Sequence, residues 1–424
     1  MANPPGPRVS HATIAEARAA LAPHVRLTPL WPLTVPAPGL DVPLLLKCEN
    51  LQLTGSFKVR GALNFVRQLD DAAAARGLIA MSAGNHAQGV ALAGAARGIP
   101  VTIVMPESAP LAKVNATRAL GARVVIHGAA LDDARAEAQA IAAREGRIFV
   151  PPFDDEAVIA GQGTVGLELL DQAPDVEEVL VPAGGGGLLA GIAVAVKSLR
   201  PDVRVVGVQS AAMDGVRRSF AAGRVVTTPP ARTIADGVAV AGPSERTFAL
   251  IQRHVDEVIA VPDEAIAHAI VLLIERAKLV VEGAGALAVA AVQSGLYRPR
   301  GKAIAVLSGG NIDINLLGSI VRRGLVDAGR YQHLAIEVSD TPGQLALVSA
   351  VVAGAGGNIL EVDHNREAPG MPVGVAVLEL LIEVNGIQHF NEIVQALRDA
   401  GLRGIPGSSA RLATVDARLR HGGA

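Results

Sequence analysis

Glu178-Val179-Leu180-Val181-Pro182-Ala183-Gly184-Gly185-Gly186-Gly187-Leu188 decides the reading of this chain. An unbroken apolar run, not an alternating one, predicts a short strand over 179–181 buried on both faces, as in a parallel sheet. A second apolar stretch over 188–199 predicts a helix, and the glycines lie between the two. Consecutive glycines let backbone N–H groups converge on an anion, and the start of a helix adds a favourable dipole. Four glycines in an idle turn would cost chain entropy without return. A bound phosphate explains them better.

Outward from this segment the same alternation repeats. Apolar runs at 44–48, 78–81, 101–104, 123–127, 204–208 and 303–307 predict further buried strands, and Ala-rich or amphipathic stretches at 87–97 and 131–144 predict helices. The expected class is α/β, with parallel sheets whose ligands sit beyond the carboxyl ends of the strands. Beyond about residue 330 the order changes to strand 333–338, helix 344–353, strands 358–364 and 373–384 and helix 387–400, with room for one more strand after Leu402. That order predicts a ferredoxin-like α+β module, with the boundary between Arg323 and Gln332.

Composition narrows the function. Half of the 424 residues are apolar and 18% are charged, which describes a well-buried globular chain. The formal net charge is −2 with no basic run, so nucleic acid is not an expected partner. Cys48 is the only cysteine, which excludes an internal disulfide and any multi-cysteine metal site. The best membrane candidate, 89–105, is broken by Arg97 and Pro100, and the opening Met1-Ala2-Asn3-Pro4-Pro5-Gly6-Pro7 lacks the apolar core of a signal peptide. A cytoplasmic location, with no membrane partner, is expected.

The kind of phosphate can be narrowed too. Gly185, Gly187 and Ala190 match a dinucleotide pattern, but Gln209 stands where a ribose-binding acid belongs. Leu188 and Leu189 replace the Lys-Ser/Thr of a P-loop. A phosphate monoester, as on pyridoxal phosphate, needs only the glycine cup. Three other loops follow strands. Thr54-Gly55-Ser56-Phe57-Lys58-Val59-Arg60-Gly61-Ala62 puts a lysine in the first turn of a helix, where a Schiff base could form. Ser82-Ala83-Gly84-Asn85-His86 opens a helix with small residues and free N–H groups suited to a carboxylate. Ser308-Gly309-Gly310-Asn311 puts a hydroxyl at the ligand edge of the sheet.

Together these motifs resemble those of the fold-type-II pyridoxal-phosphate enzymes, whose paired parallel-sheet subdomains are tryptophan synthase β-like. Within them they are most similar to the threonine ammonia-lyases (threonine dehydratases). The resemblance runs over residues 10–325 and implies a large subdomain of 1–47 plus 155–325 and a small one of 48–154. It implies Lys58 as the Schiff-base lysine and catalytic base, with Ser82 also catalytic. The cofactor contacts implied are Phe57, Lys58, Asn85, the cup Gly184, Gly185, Gly186, Gly187 and Leu188, and Ser308 at the pyridine nitrogen. The substrate contacts implied are Ser82, Ala83, Gly84, Asn85, His86 and Glu282. The substrate is then L-threonine or L-serine, converted to a 2-oxo acid and ammonia.

Serine racemases resemble this pattern but carry a second serine where Ala83 stands, so the lyase is favoured over a racemase. A β-replacement synthase of the same fold and a non-catalytic amino-acid sensor are the competing readings. Divalent-metal relatives hold the ion near 209–215; with Gln209 and Gly215 there, Asp214 alone remains, and no required divalent metal is expected. A carbonyl-bound monovalent ion stays open. The tail, 332–415, resembles an ACT domain through Asp340-Thr341-Pro342-Gly343-Gln344-Leu345 and Gly357-Asn358-Ile359. That resemblance implies an allosteric site at Gly343, Asn358 and Ile359 for a branched-chain amino acid, a place in isoleucine biosynthesis, and a homodimer or homotetramer.

Overall fold

The computed structural model describes residues 9–33, 44–366 and 372–407. The opening seven residues and the end of the tail module, 408–415, lie outside the described residues. The chain divides into two compact units, Met1–Leu316 and Leu317–Ala424.

The first unit holds two sheets. The larger runs, from one edge, Leu30–Pro32, Leu44–Cys48, Ala303–Leu307, Glu178–Pro182, Arg204–Ser210 and Glu257–Val261. All its pairings are parallel except that of the first edge strand. The smaller sheet is wholly parallel, in the order Arg123–Ile126, Val101–Met105, Leu78–Met81, Ile148–Phe149. The central strands Glu178–Pro182, Val101–Met105 and Ala303–Leu307 are buried at every position and, apart from Glu178 and Thr102, apolar throughout. Helices Glu156–Gln172 and Gly187–Leu199 cover the larger sheet through Ile159, Leu169, Leu189 and Ile192 against Val179, Val181 and Val205. Three observed strands fall outside the expected set: Leu30–Pro32, Ile148–Phe149 and Glu257–Val261. Each is a sheet edge. An edge strand is short or half-exposed, so its sequence carries a weaker apolar signal.

Helix Lys58–Arg67 joins the core of the smaller sheet through Val59, Ala62 and Val66, packed against helices Asn85–Ala96 and Glu156–Gln172. Beneath it lies a buried ion network. Arg60 donates to both carboxylate oxygens of Glu49, each at 2.8 Å, and to those of Glu168 at 2.6 and 3.0 Å. Lys47 donates to Glu168 at 2.6 Å. Two cations and two anions balance, and the arginine fork ties the helix to the turn just past strand Leu44–Cys48 and to helix Glu156–Gln172.

In the second unit an antiparallel sheet runs Asn358–Asn365, Val375–Glu383, Tyr331–Ser339, Arg403–Pro406. Alternate residues Leu334, Ile336, Val338 and Leu378, Leu380, Ile382 pack on Val348 and Val352 of helix Gln344–Gly354, and on Phe390, Ile393 and Leu397 of helix Ile387–Asp399. The order βαββαβ is ferredoxin-like. Among the described residues no helix is long and apolar enough to cross a membrane.

Candidate active site

The approach to Lys58 is bound to the loop after Ala303–Leu307. Ser56 bridges Gly309, the Phe57 N–H donates to the Ser308 carbonyl at 3.1 Å, and the Gly310 N–H donates to the Gly55 carbonyl at 2.9 Å. Lys58 is therefore the first residue of its helix and adjoins Ser308, although 250 residues separate them in sequence. Its Nζ donates to the Pro152 carbonyl at 2.8 Å. Burial lowers its amine from the ordinary 10.5 to about 8, against the opposing pull of the Glu282 carboxylate. Ser308 is 3% exposed, and its hydroxyl makes no hydrogen bond to the described residues. It is a neutral donor or acceptor.

The glycine loop opens helix Gly187–Leu199. Gly186 sits at φ +93°, a left-handed conformation that favours glycine. At Gly185 a Cβ would fall 2.4 Å from the Phe153 ring, so the loop presses directly against that side chain. Thr247 Oγ1 donates to the Gly185 carbonyl at 2.8 Å and steadies the turn. The N–H groups of 184–188 donate to no acceptor among the described residues, the state of a helix start that is ready for an anion. These donors, together with the amine of Lys58, fit a phosphate-bearing carbonyl cofactor.

The third loop closes the site. The Gly84 N–H donates to Ser82 Oγ at 3.1 Å, and a Cβ on Gly84 would meet nothing within 4 Å. Open space thus lies at the start of helix Asn85–Ala96. Asn85 Nδ2 donates to Glu282 Oε1 at 2.6 Å, and Asn311 Nδ2 donates to Asn85 Oδ1 at 2.6 Å. Glu282 is 3% exposed. Burial and then the Asp236 charge raise its carboxyl to about 7, while the Asn85 bond, Lys113 and Lys58 pull it down. The Lys113 ammonium is itself held by Asp236 at 2.8 Å.

The structure therefore connects Lys58, Ser308, Asn85 and Glu282, and it places the glycine loop against residue 153, next to the carbonyl that receives Lys58. Two of the expected contact residues also have protein partners. The His86 ring is tied by Nε2 to the Val150 carbonyl, 2.9 Å away, which leaves its backbone N–H at the loop. The Asn85 amide is already engaged on both its oxygen and its nitrogen. Sequence reasoning misses Pro152, Phe153, Asp236 and Lys113, and gives Asn311 no contact of its own. Residues 150–153 follow an edge strand, and the rule that ligands gather after strands is the one signal that points to them. Near 209–215, Asp214 is bound by Arg217 and Arg218, and among the described residues no cluster of His, Cys, Asp or Glu could hold a metal. In the second unit Gly343 caps helix Gln344–Gly354 at φ +96°, and Asn358 donates to Glu383 at 3.2 Å.

Fold and site define a class: an α/β enzyme that holds a phosphorylated carbonyl cofactor through a lysine. Residues 21–309 match the pyridoxal-phosphate dependent enzyme family, and the chain belongs to that family. It is 47% identical over 363 residues to an L-threonine ammonia-lyase of Geobacter sulfurreducens, covering 85% of this chain and 90% of that protein. It is 49% identical over 354 residues to an L-threonine ammonia-lyase of Thermotoga maritima, covering 84% and 88%. Both matches are longer than the first unit and so extend into the second. A solved threonine deaminase of T.th. superimposes with a TM-score of 0.67 at 44% identity, covering 72% of this chain and 99% of that one.

Proposed function

We propose that this chain is a pyridoxal-phosphate-dependent L-threonine ammonia-lyase, acting also on L-serine, that yields 2-oxobutyrate or pyruvate and ammonia. The observation that carries the reading is the Lys58 amine, lowered to about 8 and held 2.8 Å from the Pro152 carbonyl, next to the Phe153 that backs the glycine loop. When bound, pyridoxal phosphate supplies an electron sink for charge developing at the substrate Cα. The chain's own residues do the rest. The N–H groups of 184–188 would hold the phosphate, and the neutral Ser308 hydroxyl would meet the ring nitrogen. Lys58 would hold the cofactor, and its Nζ is the base that would take the substrate Cα proton. An ordinary lysine would be almost wholly protonated near pH 8, whereas the lowered pKa brings the free base within reach there. The N–H groups at the start of helix Asn85–Ala96 grip the substrate carboxylate. Ala83 presents a methyl group, so the loop offers no second base on the opposite face of Cα. This favours elimination over racemisation.

The second unit is read as an ACT-type regulatory module over 332–415, with Gly343, Asn358 and Ile359 at the site of a branched-chain amino acid. This places the enzyme in cytoplasmic isoleucine biosynthesis. The edge strand Asn358–Asn365, which exposes Leu360 and Val362, supports pairing of copies into a homodimer or homotetramer. Within the first unit the division is 1–47 with 155–325 against 48–154.

The test is 2-oxobutyrate formation from L-threonine by the purified protein, with and without L-isoleucine, in the full chain and in a chain ending at 330. Turnover that isoleucine changes only in the full chain is expected. No turnover refutes the lyase, and an undiminished response in the short chain refutes the regulatory site.

A further inference from the structure

His86 sits in the loop proposed to hold substrate, where a histidine invites an acid–base role. The geometry points elsewhere. Its ring is buried, 4% exposed, and Nε2 lies 2.9 Å from the Val150 carbonyl. A carbonyl can only accept, so Nε2 carries the proton and donates. Burial, with the nearby Lys58 ammonium, lowers the ring's pKa to about 3 against the bond to Val150.

What Val150 carries gives that bond its meaning. The Val150 N–H donates to the Ile79 carbonyl at 2.9 Å, so its peptide is fixed between the small sheet and His86. Pro151 and Pro152 follow, each with φ locked by its ring, and the residue before a proline is restricted too. Few soft torsions therefore separate Val150 from the Pro152 carbonyl that receives Lys58 Nζ at 2.8 Å. Next comes Phe153, whose ring lies against Gly185 and whose backbone lies against Gly187. The helix of His86 also lies on the lysine's own backbone, since a Cβ at Gly89 would sit 3.2 Å from the Lys58 carbonyl.

We propose that His86 is a positioning residue: through Val150 it fixes segment 150–153, and with it the carbonyl facing the Lys58 amine and the ring backing the glycine loop. The same helix thus aligns three parts of the site, namely the carboxylate-gripping N–H groups, the lysine and the phosphate cup. This inference rests on the proposed lyase reading for its kinetic arm only.

The test uses the enzyme loaded with pyridoxal phosphate. Ring 15N spectra of the wild type, with the His86 signal assigned by its loss in His86→Gln, should show a neutral ring protonated at Nε2 throughout pH 6–8. His86→Gln keeps a donor in the place of Nε2. It should stay within about threefold of wild type in kcat and in the dissociation constant of pyridoxal phosphate, with an unchanged pH profile. His86→Leu strands a buried carbonyl and should lower kcat and weaken cofactor binding roughly ten- to hundredfold, with KM little changed. His86→Asn, whose amide ends short of Val150, serves the same purpose if the leucine variant does not fold. A ring that titrates between pH 6 and 8 together with a limb of the kcat profile would overturn the proposal. So would a leucine or asparagine variant with wild-type kcat and cofactor affinity, or a glutamine variant as impaired as leucine. If the wild type makes no 2-oxobutyrate the lyase reading fails, and the ring spectra and cofactor affinities still decide the role of His86.

Discussion

Adding one methyl group at Gly185 tests whether the glycine loop is shaped by Phe153. An ideal Cβ there lies 2.4 Å from Phe153 Cε1 and 2.5 Å from Cδ1 and Cζ. Ordinary contact begins near 3.4 Å, so loop or ring must give way by about 1 Å. The ring cannot simply back off with its chain, because the Val150 N–H is held by the Ile79 carbonyl at 2.9 Å and Pro151 and Pro152 stiffen the segment between them. Overpacking of this kind costs about 1–3 kcal/mol. Because the displaced atoms belong to the loop whose N–H groups await the phosphate, much of that cost should appear as weaker cofactor binding, roughly tenfold to hundredfold. The assay is a pyridoxal phosphate titration and a thermal melt for Gly185→Ala, Phe153→Leu and the double variant. The smaller, flexible leucine should make room, so the double variant should bind better than Gly185→Ala alone, with a coupling of about 1–2 kcal/mol. Wild-type affinity in Gly185→Ala, or strict additivity in the double variant, would refute the idea that this contact shapes the cup.

Two further outcomes follow from the buried charges. Glu282 titrates near 7 in the folded chain instead of near 4.5, so the stability it contributes is full below pH 4.5 and is lost as pH rises to 7. Subtracting the melting profile of Glu282→Gln from that of the wild type should expose this loss, about 3 kcal/mol across the window; a flat difference curve would contradict it. Arg60→Met should destabilise the first unit by about 3–5 kcal/mol in denaturant unfolding, because Glu49 and Glu168 lose their fork. Burial pushes the Glu49 carboxyl up, but Arg60 outweighs it and holds it below the usual range. The stability this pairing gives is present above the usual carboxylate range and is lost as pH falls through the lowered value, so the stability gap between variant and wild type should narrow in acid.

The sequence by itself determined the central strands, the helices that follow them and the loops that carry chemistry. Strands buried on both faces read as apolar runs, such as 179–181 and Ala303–Leu307, and glycines between strand and helix stand out against them. Edge strands such as Ile148–Phe149 pair on one side only, are short or half-exposed, and leave little trace. The residues that would meet cofactor and substrate were legible for the same local reason: Lys58, Gly184 to Gly187, Ser82 to Asn85 and Ser308 each lie in a motif that announces itself within a few residues. What only the tertiary structure decided is what each of these side chains touches. That Lys58 faces the Pro152 carbonyl, that Asn85 links Glu282 to Asn311, and that His86 Nε2 is bound to Val150 depend on contacts between segments 64 to 226 residues apart. Local spacing cannot encode such pairings, because they arise when two sheets and their covering helices are packed together. That packing also sets the burial that brings the Lys58 amine down to about 8 and the Glu282 carboxyl up to about 7.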